Sequence, residues 1–232
     1  MLTDNIKSVQ ERIAQALAKR KEKKITGDAV TLVAVTKNHP ASIITETLAC
    51  GIKHIGENRV QEAKHKQEEI GKEGAWHLIG HLQTNKARQA VAHFDLIESI
   101  DSEHLLAEVN KEAARIGKIQ NILLQLNSAH EEQKSGFDKE EYLQILPKLG
   151  EYKNVRVRGL MVIAQQCEDV EETRIIFAAG YRAYVRLKDM SPEIDILSMG
   201  MSNDFEIAVQ EGANNVRVGT ALFGARDYSL KF

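Results

Sequence analysis

The sequence predicts an α/β fold, a single (β/α)8 TIM barrel with an extra helix at its N-terminal end. Short apolar runs recur eight times along the chain, each followed by a segment with helical spacing or by a turn of one. Several runs are continuously apolar, as strands buried on both faces are. No Pro- or Gly-rich linker divides the 232 residues, which include three prolines, so one domain spanning 1–232 is expected. An open doubly wound sheet would use the same alternation. Eight units in about 200 residues sit at the compact end of the barrel range and favour closure.

Leu2, Ile6, Val9, Ile13 and Leu17 recur every three or four residues, which makes an amphipathic helix covering the bottom or flank of the barrel. The basic run KRKEKK at 19–24 follows and reads as a solvated helix end that complements the helix dipole. Strands are expected at Thr31–Thr36, Lys53–Ile55, Trp76–Ile79, Asp95–Ile100, Asn121–Leu126, Val157–Ile163, Ile194–Leu197 and Asn215–Val218. Between them, Val60, Ala63, Gln67 and Ile70 share one helical face. The segment SEHLLAEVNKEAARIG opens on Ser102 as N-cap and closes at Gly117. In DKEEYLQIL, Asp138 and Glu141 have the spacing of a capping box.

A formal charge of −2 carries no basic excess, so neither a nucleic-acid nor a membrane surface is expected. No apolar run approaches the length of a membrane span. The start MLTDNIKSVQERI lacks the basic and apolar regions of a signal peptide. Two cysteines, Cys50 and Cys167, make no disulfide framework, so a reducing cytoplasm is the expected location.

In barrels of this kind chemistry collects at the C-terminal ends of the strands. SMGMSND at 198–204 follows the seventh strand and leads into a helix at Phe205–Gln210, with Ser202, Asn203 and Asp204 all of capping type. VRVGTALFG at 216–224 places Gly219 and Thr220 after the eighth strand, beside a further short helix. Each alone reads as a well-capped turn; together, after strands seven and eight, they make a phosphate site. Lys37 ends the first strand, which adjoins the eighth on closure. A lysine can lie along such an end with its amine in solvent, but a partly desolvated amine beside a phosphate cradle captures carbonyls. Those two features point to a Schiff-base aldolase or to a pyridoxal phosphate (PLP) protein. Arg217, on the last strand and on the same side as Gly219, favours PLP, because arginine is a recurring partner of the ring nitrogen, with a plain structural ion pair as the alternative. His77 and His81 lie on a strand and its loop, not on one helical face, so no zinc pair is expected. Cys50 reads as packing near a helix end, and no GxGxxG, P-loop or GxSxG sequence is present.

The blocks VAVTK, GENRVQEAKHK, WHLIGHLQTNK, KSGF, GLMVIA and LSMGMSNDFEIAVQEGANNVRVGTALFGAR resemble the pyridoxal phosphate homeostasis protein family over nearly the whole chain. The resemblance implies one (β/α)8 barrel similar to the N-terminal domain of alanine racemase, a fold-type III PLP protein. It implies that Lys37 holds PLP as a Schiff base, that Ser202, Gly219 and Thr220 hold the phosphate, and that Arg217 faces the pyridine nitrogen. Asn58, His81 and Met161 would line the cofactor. One departure is that Ala164 stands where the family often continues into a proline-ended segment.

The implied role is a cytoplasmic PLP carrier without robust catalysis, which buffers the cofactor and passes it to apo-enzymes. The ring-facing arginine weakens the ring as an electron sink. Racemases similar to this barrel bring their second acid–base group from an added C-terminal domain, and this sequence ends at Phe232 without one. A weak PLP-dependent racemase or lyase is the alternative. A monomer is expected, since no exposed apolar stripe stands out.

Overall fold

The computed structural model describes residues 1–127, 135–164 and 169–225. Eight parallel strands close into a barrel in sequence order. They are β1 (Thr31–Val35), β2 (His54–Glu57), β3 (Ala75–Leu78), β4 (Leu96–Ile100), β5 (Gln120–Leu126), β6 (Val155–Val162), β7 (Ile196–Met199) and β8 (Asn215–Val218). Between and around them lie α1 (Leu2–Ala18), α2 (Ser42–Ala49), α3 (Val60–Ile70), α4 (Ala87–His93), α5 (Glu103–Arg115), α6 (Lys139–Ile145), α7 (Val170–Lys188), α8 (Phe205–Gln210) and α9 (Thr220–Phe223). All eight expected strands are present, with their ends moved by up to two residues. The largest shifts are at β6, which begins two residues earlier than expected, and at β2 and β7, which run two residues further because Gly56, Glu57, Ser198 and Met199 do not read as an apolar run.

Strand residues alternate between two compartments, as a closed sheet requires. Leu32, Ala34, Ile55, Trp76, Leu78, Ile97, Ile122, Leu124, Leu160, Val162, Leu197, Met199, Val216 and Val218 belong to one large core shared with the helices. Leu96, Leu123 and Met161, with Ile196 against them, form a separate cluster inside the barrel. Closure depends on β1 pairing with β8, where Val33 lies opposite Arg217.

The helix ends follow local chemistry. Ser102 Oγ accepts the Leu105 N–H at the start of α5. Asp138 and Glu141 form the expected capping box on α6. Helix α1 lies on the flank and not the bottom: Asn5 Nδ2 donates to the Leu222 carbonyl of α9 (2.8 Å) and Arg12 bridges to Glu206 of α8 (2.8 Å). Two expectations change. The KRKEKK run is not simply a solvated end, because the Arg20 side chain is buried and donates to the carbonyls of Val209, Gly27 and Ala213. Lys24 is also buried and stands 4.5 Å over the Tyr181 ring. On α3 the expected face, with Val60 and Ala63 buried and Ile70 packed against the core, widens to take in the buried Glu62 and Lys66. Cys50 caps α2 as expected of a packing residue, and Cys167 lies outside the described residues.

Gly159 is the tightest point of the sheet. A Cβ there would stand 1.7 Å from the Ile196 carbonyl oxygen, and the residue has φ of 153°. Gly159→Ala is expected to force β6 from β7 and destabilise the protein by on the order of 3–5 kcal/mol, measured by urea unfolding. Among the described residues, no helix is long and apolar enough to cross a membrane.

Candidate functional site

All eight candidate residues lie in the barrel interior or at the C-terminal ends of its strands. Half-buried Lys37 follows Thr36 in the turn after β1, where His39 N–H donates to the Thr36 carbonyl (3.1 Å). Asn58 follows β2 directly. A Cβ on Gly80 would come within 2.3 Å of the Asn58 carbonyl oxygen, so the loops after β2 and β3 touch in a way only glycine permits. His81 follows on the exposed rim, its Nδ1 2.9 Å from Asp101 Oδ2 and 3.2 Å from Ser135 Oγ. Ser135, Gly136 and Phe137 of the KSGF block lie back at the mouth because Phe137 pairs with the end of β5. Met161 is fully buried inside the barrel.

The loops after β7 and β8 are joined through one hydroxyl. Gly200, with φ of 91°, turns so tightly that a Cβ would lie 2.7 Å from Phe205 Cα. Asp204 Oδ1 then accepts the Met201 N–H (2.6 Å). Ser202 does not cap α8; its Oγ accepts the N–H groups of Gly219 and Ala221, both at 3.3 Å. A Cβ on Gly219 would stand 3.1 Å from the Val35 carbonyl oxygen, so this loop rests on the strand that leads to Lys37. Thr220 is exposed at the start of α9.

Beneath these loops runs a buried polar chain that sequence reading missed. Arg217 is buried and donates Nη1 to Ser198 Oγ (2.5 Å) and Nη2 to the Val162 carbonyl (3.0 Å). Asn215 Nδ2 also donates to Ser198 Oγ (2.9 Å), and the Ser198 hydroxyl donates to Glu98 Oε2 (2.6 Å). Arg217 Nη1 is 3.8 Å from Glu98 Oε2. Glu98 Oε1 faces His77 Nδ1 at 2.7 Å, and His77 Nε2 faces His54 Nδ1 at 3.0 Å. An ionised Glu98 can only accept, so the Nδ1–H of His77 donates to it, which leaves Nε2 of His77 facing the His54 ring.

The charges follow from burial and these partners. Burial would raise the Glu98 carboxyl, but the hydrogen bond and charge of His77, the charge of Arg217 and the Ser198 hydrogen bond together hold it below the usual carboxylate range. Burial lowers the Arg217 guanidinium against the pull of Glu98 and Asp204. Burial raises Asp204. At the start of β2, burial and then the neighbouring His77 lower His54. Glu98 was legible as a carboxylate inside the apolar run DLIESI, and Ser198 as a hydroxyl ending ILS, but their meeting depends on closure.

This donor set fits a phosphorylated aldehyde with an aromatic nitrogen. Backbone N–H groups of Gly219 and Ala221 and the hydroxyls of Ser202 and Thr220 gather at one edge. An amine stands at the end of the adjoining strand, and a guanidinium lies below. Among the described residues no group of His, Cys, Asp and Glu side chains is placed to hold a metal ion.

Comparison with known proteins gives first a class and then a family. The model of the alanine racemase N-terminal domain matches residues 6–227. An alanine racemase from Clostridium difficile 630 superposes with a TM-score of 0.72 at 15% identity, covering 96% of this chain and 57% of that one, which is a likeness of fold. The pyridoxal phosphate homeostasis protein of Escherichia coli (strain K12) is 37% identical over 235 residues, 99% of each chain. That of Aquifex aeolicus is 38% identical over 224 residues, 94% of this chain and 96% of that one. PipY of Synechococcus elongatus PCC7942, in a structure with PLP bound, superposes with a TM-score of 0.82 at 38% identity, covering 97% of this chain and all of that one. The chain belongs to the pyridoxal phosphate homeostasis protein family.

Proposed function

We propose that this protein binds PLP reversibly, maintains its supply and delivers it to apo-enzymes in the cytoplasm. The observation that carries the reading is that relatives named for PLP homeostasis match this chain from end to end. The mouth described above supports it with donors of the right chemistry. When bound, PLP supplies an aldehyde reactive toward amines and a ring that withdraws electrons.

Lys37 is the proposed covalent anchor, its amine set at the strand end beside the phosphate loops. Ser202, Gly219 and Thr220 hold the phosphate through a hydroxyl and backbone N–H groups, which suit an anion without a mobile counter-charge. Arg217 faces the ring nitrogen as a cation already paired with Glu98. Two positive charges disfavour each other, so Arg217 keeps a proton off that nitrogen and mutes the ring as an electron sink. Asn58, His81 and Met161 line the remaining walls. This arrangement holds the cofactor and weakens its chemistry, as a carrier requires. A monomer is part of this reading.

The test is to titrate purified protein with PLP, follow the visible absorption, and map the borohydride-fixed peptide by mass spectrometry. Modification of Lys37 supports the reading, and a protein that takes up no PLP defeats it. Incubating the loaded protein with L- and D-amino acids in deuterated water then separates roles. Sustained exchange at Cα over many turnovers would mark a racemase or lyase in place of a carrier. Ser202→Ala is expected to weaken PLP about tenfold, the size of one hydrogen bond to a charged group, and to leave unphosphorylated pyridoxal unaffected in a competition titration.

A further inference from the structure

A second ion cluster lies directly under Lys37 and has no part in the phosphate loops. Glu57 ends β2, while Glu62 and Lys66 stand one turn apart on α3. All three side chains are almost completely buried. Lys66 Nζ donates to Glu57 Oε1 (2.7 Å), Glu62 Oε1 (2.8 Å) and the Thr36 carbonyl (2.7 Å). Glu62 Oε1 also accepts the Asn38 N–H at 2.6 Å, and Thr36 Oγ1 donates to Glu57 Oε1 at 2.5 Å. The carbonyl before Lys37 and the N–H after it are therefore both tied to one cluster.

Its location is informative because its contribution to stability need not be. A buried ion cluster loses hydration, and apolar residues of similar volume often replace one without penalty. A simple plug between β2 and α3 could be apolar. What apolar residues could not do is grip two peptide groups on either side of a chosen residue. The grip also holds an unusual backbone, since Asn38 is the one non-glycine with positive φ (58°) among the described residues.

We propose that Glu57, Glu62 and Lys66 form a clamp that sets the direction of the Lys37 side chain toward the cofactor aldehyde. They are positioning residues, acting through the Lys37 backbone. The clamp rests on the reading of Lys37 as the covalent anchor. It fixes where the amine stands through the backbone on either side of Lys37, so formation and exchange of the attachment share one geometry.

The experiment compares two ligands. PLP carries the aldehyde; deoxypyridoxine phosphate has the same ring and phosphate with a methyl group in its place. Glu62→Ala should raise the Kd for PLP at least tenfold and slow borohydride-fixed labelling of Lys37 at least tenfold. Binding of deoxypyridoxine phosphate should change less than twofold. Glu62→Gln, which keeps an oxygen for the Asn38 N–H, should recover most of the labelling rate. Urea unfolding of each apo variant establishes that it is folded. If Glu62→Ala does not fold, the comparison is read on Glu62→Asp, which keeps the charge and withdraws the oxygen from Asn38. Unchanged PLP binding and labelling overturn the clamp, and so does equal weakening of both ligands, which marks general damage. If the unmodified protein neither prefers PLP to the methyl analogue nor is labelled at Lys37, the anchor reading fails and the clamp with it.

Discussion

Replacing Lys37 by alanine is expected to abolish borohydride-fixable attachment of PLP and to weaken binding about a hundredfold, roughly 2.7 kcal/mol. The phosphate edge stays whole in this variant, because Ser202 and the Gly219 and Ala221 N–H groups are tied to each other and not to Lys37. Residual, salt-sensitive binding of PLP is therefore expected, and deoxypyridoxine phosphate should bind as it does to the unmodified protein. Lys37 is half-buried in a turn, so its truncation should change folding stability by less than about 1 kcal/mol. Isothermal titration with the two ligands, together with urea unfolding, checks each part. Loss of both ligands would mean that the amine supports the phosphate edge, contrary to the assignment.

A loss of stability as large as that of Gly159→Ala should come from Glu98→Ala. It removes a fully buried carboxylate that receives Ser198 and His77 and faces Arg217 at 3.8 Å. Arg217 would then be a buried cation without its counter-charge, which destabilises by about 3–5 kcal/mol. The penalty should depend on pH with a defined sign. The folded-state pKa of Glu98 is depressed below that of the unfolded chain. Its contribution is therefore present above the unfolded value and lost as pH falls through the folded one. Urea unfolding of protein and variant should differ most near neutrality and converge in acid. A constant gap down to low pH would show that Glu98 acts by packing and not by charge.

Much of the fold was legible because it rests on local signals. Ser102, and the pair Asp138 and Glu141, marked helix starts that the backbone confirms. The loops at 198–204 and 216–224 were legible too, since glycine and hydroxyl residues after a strand carry their own meaning. What stayed hidden depends on closure. Glu62 and Lys66 have the spacing of an exposed helical ion pair, and only the packing of α3 against β2 turns them inward. His54, His77, Glu98, Ser198 and Asn215 come from five strands, and no spacing along the chain announces that they meet. The basic run at 19–24 misled for the opposite reason. Composition suggested solvent, while carbonyl groups at the end of α8 and before β8 drew Arg20 inward.

The pairing of β1 with β8 bears on how the protein comes apart. Lys37 and the Gly219 loop sit on either side of the seam where these two strands meet. A ligand held by both sides would act as a removable staple across the last contact that closes the ring. Ligation stabilises by mass action wherever the open form cannot bind, so protection should rise most at this seam. Amide hydrogen exchange at Thr31, Leu32 and Val216 should slow on loading far more than exchange in α5, across the barrel. Filling the site would then lock the β1–β8 joint in particular.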